Sequence, residues 1–93
     1  MALPVVLLIL STIIVTTLLA MIVRNEGTAA LYFSGAATNG LLAAWVFIDV
    51  FLPRDGLPAI LALLAAGNLS ATATIAFGRG LRIRRDTGNA PQG

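Results

Sequence analysis

Residues 2–23 read ALPVVLLILSTIIVTTLLAMIV, 22 consecutive positions without a charge. As a helix rising about 1.5 Å per residue the stretch is about 33 Å long, enough to cross a hydrocarbon core of about 30 Å. It exceeds the apolar core of a secretory signal, no basic segment precedes it, and no small-x-small cleavage site follows it. The expectation is a first membrane span that stays in the chain.

Arg24-Asn25-Glu26-Gly27-Thr28 interrupts the run with two charges and a glycine. Residues 29–52 (AALYFSGAATNGLLAAWVFIDVFL) are then apolar again except for Asp49, and Pro53-Arg54-Asp55-Gly56 combines a helix stop, two charges and a turn residue. Span three covers 57–77 (LPAILALLAAGNLSATATIAF), where Pro58 falls in the first turn and its missing N–H goes unused. The pattern predicts an all-α integral membrane protein with three transmembrane helices. Residues 1–78 form the membrane domain, and 79–93 are expected to be a basic, disordered cytoplasmic tail.

Composition supports this. Of the 93 residues 58% are hydrophobic and 11% charged, against about a quarter charged in an average soluble protein, and so small a soluble domain would need a polar surface that this chain lacks. Cysteine and histidine are absent, which removes disulfides, thiolate and imidazole metal sites, haem ligation through histidine and histidine-based acid/base catalysis. No catalytic residue, cofactor or metal site is expected, and neither nucleic acid nor a soluble substrate as partner. Arg79, Arg82, Arg84 and Arg85 are read as a topology determinant and a contact for anionic lipid. By the positive-inside rule they put the C-terminus in the cytoplasm, hence the N-terminus and loop 53–56 outside and loop 24–28 inside. Tyr32 then falls near the inner interface and Trp45 toward the outer one, as aromatic belt residues.

Helices in lipid associate through small residues that permit close approach and polar ones that bond across helices. Span three carries Ala62, Ala66, Ser70, Thr74 and Gly78 at every fourth position, with Gly67 and Ala71 beside them, and span two carries Gly35/Asn39/Ala43 and Ala36/Gly40/Ala44. Spans two and three are therefore expected to pack as a tight hairpin along these ridges. Ser11 and Thr12, Thr38 and Asn39, and Asn68 all fall about 14 to 16 Å from a span end, a midplane polar layer that serves either as interhelical glue or as the lining of a hydrated path. Asp49 is the one acid inside an apolar run; about 30 Å from the inner end of span two, it reads as an interfacial charge able to meet Arg54 or headgroups, with an ion relay as the alternative.

Three spans in about ninety residues, Thr38-Asn39 in mid span two and Thr74-Ile75-Ala76-Phe77 before a basic end together resemble the F subunit of Mrp-type multisubunit cation/proton antiporters. The resemblance covers roughly residues 24–80. It implies a small accessory subunit in a bacterial inner membrane, packed with large antiporter-like subunits and small sister subunits, in a complex that expels Na⁺ against inward proton movement. The family's Gly-Pro…Asp-Arg segment in the first loop has no counterpart in Arg24–Thr28, and Ser34 stands where its early span-two acid is expected. The resemblance thus implies a divergent member with a structural role. Two other classes fit the same pattern: a holin-like protein that assembles with itself, and a small structural subunit of a respiratory or photosynthetic complex.

Overall fold

A computed structural model of the chain describes residues 2–88, and all the regular secondary structure among them is helical: α1 (Ala2–Val23), α2 (Ala29–Trp45), a π-helical segment (Val46–Phe51) continuing α2, and α3 (Gly56–Gly88). Three helical stretches, Ala2–Val23, Ala29–Phe51 and Gly56–Asp86, are long and apolar enough to span a membrane.

The connections follow from local chemistry. At the end of α1 Asn25 adopts a left-handed φ of 57°, its N–H donating to Ile22 O and that of Glu26 to Met21 O. This is a Schellman motif, which satisfies carbonyls that the last helical turn leaves open. Gly27, with φ 96°, lies where an added Cβ would come within 3.0 Å of the Tyr32 ring, so glycine is required twice over. Thr28 then caps α2 by accepting from Leu31 N–H at 3.2 Å. At the far end Pro53 lacks the N–H that would close an α-type bond to the Asp49 carbonyl, and the helix widens so that Leu52 N–H reaches Phe47 O at 3.1 Å. Arg54 closes this end, its Nη1 donating to Val50 O and its backbone N–H to Phe51 O.

Both α1 and α2 pack along α3 and meet each other chiefly where Leu18 and Met21 reach Tyr32, giving a slab 59 Å long, 22 Å wide and 13 Å thick. The buried positions explain the packing. On α2 and its extension they are Tyr32, Ala36, Asn39, Ala43, Val46 and Val50, alternating steps of four and three, the period of a left-handed helix pair. On α1 they are Pro4, Ser11 and Leu18, one per heptad. On α3 they include Ala62, Ala65, Ala66, Leu69, Thr72 and Ala76. Alanine dominates the seam because close approach, with its dispersion contacts, holds helices together in lipid. The exposed large residues, Leu41, Ile48 and Leu64 among them, form the surface that lipid or a partner would cover.

Two expectations are corrected here. The every-fourth-residue ridge on α3 does not form the seam as a whole: Ala62 and Ala66 are buried, but Ser70, Thr74 and Gly78 are exposed. A step of four residues advances about 40° beyond a full turn, so the ridge winds off the contact line while the buried set keeps near the 3.5-residue period. Nor does the tail begin at Arg79, because α3 continues to Gly88. Gly80 fits against Phe33, where an added Cβ would lie 3.0 Å from the ring, and Ile83 packs on the cluster of Leu18, Tyr32, Ala36 and Ala76. Arginines near a helix C-terminus also favour the helical state through the macrodipole. The part of the expected tail at 89–93 lies outside the described residues.

Candidate functional site

The midplane polar residues do not form a single layer. Asn68 on α3 turns toward α1, where its Nδ2 donates to Ser11 Oγ at 3.1 Å and approaches Thr12 Oγ1 at 3.4 Å. Ser11 is buried and passes the bond on to Leu8 O at 2.9 Å, while Thr12 donates to the same carbonyl at 2.8 Å. Thr72, one turn along α3, donates to Asn68 O. These groups tie α1 to α3 at mid-depth, and each donor ends on a protein acceptor.

Asn39 stands apart from this tie. It is buried, but its Nδ2 donates to Gly35 O within α2 at 2.7 Å. With Thr17 and Thr72 it lines a narrow cleft of about 250 Å³ between α1 and α2 that is otherwise apolar. Thr38, its sequence neighbour, is exposed. The one-contribution-per-helix layer therefore resolves into a two-helix tie and a separate asparagine, because α1 and α2 flank α3 without closing on each other.

The charged and aromatic candidates also fall into place. Asp49 is exposed on the π-helical segment, and of the two partners open to it, Arg54 or headgroups, Arg54 donates to the Val50 carbonyl at 3.0 Å. Tyr32 is not a belt residue facing outward: 2% of it is exposed, and its hydroxyl donates to Glu26 O. One turn into α2, its ring faces Leu18 and Met21, and the adjacent turn supplies the acceptor a buried hydroxyl needs. Trp45 is exposed. Arg82, Arg84 and Arg85 are exposed and Arg79 is half-buried.

A feature that residue spacing does not show is an open groove along one side of the α2/α3 seam. A section of about 710 Å³ is lined by Gly40, Ala44, Phe47 and Ile48 on one wall and Leu63, Gly67, Ser70 and Thr74 on the other. A second section of about 480 Å³ shares Ala73 and Thr74 and runs to Phe33 and Phe77, whose rings meet edge to face at 5.6 Å. Its signal in the sequence is the small-residue ridge, whose exposed half becomes the groove wall. An added Cβ at Gly67 would meet nothing within 4 Å, and one at Gly40 would meet only Ala73 Cβ at 3.9 Å. Mid-helix glycine costs about 1 kcal/mol relative to alanine, and packing within the chain requires it at neither position.

Comparison with models of protein families, with curated proteins and with solved structures finds no match in any of the three. The fold defines the class: among the described residues, an all-helical chain with three helices long and apolar enough to cross a membrane.

Proposed function

We propose that the chain is a multi-pass, non-catalytic subunit of a larger integral membrane assembly, and that the α2/α3 groove receives a transmembrane helix of a neighbouring subunit. The observation that carries this reading is the groove itself, walled by glycines that the chain's own packing leaves unexplained. A close-packing surface of small residues with hydroxyls at Ser70 and Thr74 is the kind that helices use in lipid. The polar residues support packing over transport, since Asn68, Ser11 and Thr12 are spent on each other and on backbone carbonyls. No charged residue lies between Ala29 and Ile48 or between Leu57 and Gly78, where ion coupling would require one.

Among such assemblies the resemblance of residues 24–80 favours a multisubunit monovalent cation/proton antiporter of the bacterial inner membrane, with large antiporter-like subunits and small sister subunits as partners. Charge supports the orientation. Asn25 meets Arg79, so loop 24–28 and the end of α3 share one end of the slab, where five arginines outnumber Glu26 and Asp86. Arg54, Asp49 and Asp55 occupy the other end. In this reading, by the positive-inside rule, the arginine-rich end is the cytoplasmic one and the N-terminus is outside.

The test is purification of the tagged chain from its native membrane in mild detergent, with every copurifying protein identified. Large multi-span antiporter-like proteins in fixed ratio are expected. A homo-oligomer alone, with lysis or loss of membrane potential on expression, would replace this reading with the holin-like one; pigment or haem proteins would point to a respiratory or photosynthetic complex.

A further inference from the structure

The arginine-rich end of α3 holds a group that packing does not use. Arg79 Nη2 donates to Asn25 Oδ1, while Arg79 Nε is buried without a partner. Asn25 is fixed by the left-handed turn of the α1 Schellman motif, so the guanidinium is anchored at one nitrogen and short of an acceptor at another. Arg82 follows three residues on and is exposed; that spacing sets two side chains about 5–6 Å apart at Cβ on one helix surface. Gly80 against Phe33 and Ile83 against the Leu18/Tyr32 cluster hold this turn of α3 in place. The acids at this end of the slab are Glu26 and Asp86, both exposed, against Arg24, Arg79, Arg82, Arg84 and Arg85.

The level of the pair selects the ligand. Arg79 stands beside the loop that ends the apolar run of α1, the depth at which lipid phosphates begin. The guanidinium fork matches the oxygens of a phosphate, with two parallel N–H bonds to one group. A neutral headgroup carries the same phosphate beside a cationic amine, so an anionic lipid is the better match for a site with excess positive charge.

We propose that Arg79 and Arg82 bind a phosphate group at the membrane interface, supplied by the phosphodiester of an anionic lipid, with free phosphate as the other source of the same chemistry. A shift of the Arg79 side chain about its Asn25 anchor releases Nε to a phosphate oxygen, and Arg82 closes on the group from the next turn. The site stands independently of the antiporter reading.

The test uses the full chain in phosphatidylcholine bicelles and follows the Arg79 Nε–H resonance by nitrogen-15 NMR while phosphatidylglycerol or inorganic phosphate is added. A saturable shift with phosphatidylglycerol is expected, weakened about fivefold by Arg82→Gln and little changed by Arg84→Gln on the far side of the helix from Arg82. Equal saturation by inorganic phosphate at the same concentration keeps the phosphate site but assigns it to the free ion. Arg79→Lys, which keeps the charge but lacks Nε, tests the fork by native mass spectrometry and should retain phosphatidylglycerol less well at unchanged helical content. An Nε–H resonance that neither additive moves, or equal losses in Arg82→Gln and Arg84→Gln, would overturn the proposal.

Discussion

Asn68 on α3 donates to Ser11 on α1 at 3.1 Å across 57 positions of sequence, and Ser11 donates onward to Leu8 O at 2.9 Å. With the longer approach of Asn68 Nδ2 to Thr12 Oγ1 at 3.4 Å, this relay is the directional link at mid-depth between two helices that otherwise meet there through apolar contacts. Interhelical hydrogen bonds in lipid contribute about 0.6 kcal/mol on average and up to about 1.7. A double-mutant cycle of Asn68→Ala and Ser11→Ala, read by reversible unfolding in micelles, should give a coupling within that range. A coupling of zero would show that the two side chains are neighbours without being linked energetically.

The glycines divide into two kinds. Gly80→Ala places a Cβ 3.0 Å from Phe33, whose ring is already engaged edge to face with Phe77, so it should destabilise the isolated chain by about 1 to 3 kcal/mol through overpacking. Gly67→Ala meets open space and should stabilise the isolated chain by up to about 1 kcal/mol, while lowering the yield of the assembled complex. Opposite signs of the Gly67→Ala effect in the two assays separate an interface glycine from a neutral one.

Asn25 has two roles that substitution can separate. Asn25→Gly keeps the left-handed turn and removes the acceptor for Arg79, whereas Asn25→Ala removes the acceptor and leaves a Cβ in a left-handed conformation that costs about 1 to 2 kcal/mol without the short polar side chain by which asparagine tolerates it. Thermal unfolding should rank wild type above Asn25→Gly and Asn25→Gly above Asn25→Ala. Equal losses would mean that the contact with Arg79, not the turn, accounts for both.

Much of the fold is legible in the sequence because spans are decided by long uncharged runs. Helix Ala2–Val23 and the start Ala29 fall where the charges at 24–28 place them, and Pro53 ends the second helix as its chemistry requires. The polar site is less legible, since depth along a helix says nothing of azimuth. Asn68 and Asn39 lie at similar depth, yet one faces α1 and the other bonds within α2, an outcome set by how α1 and α2 sit around α3. Tyr32 and Arg79 depart from their sequence patterns for a related reason. Residue type and position suggest a belt residue and the start of a tail, but each is held by a contact with the first loop, Tyr32 at the Glu26 carbonyl and Arg79 at Asn25.

The central claim, that the α2/α3 groove seats a helix of another protein, is tested most directly by photo-crosslinking in the native membrane from a probe at Ser70, in the groove, and from one at Thr16 on the exposed side of α1. The account predicts that Ser70 links to a different, larger membrane protein while Thr16 does so weakly or links to lipid. Crosslinks from Ser70 to lipid alone, or only to a second copy of this chain, would contradict it.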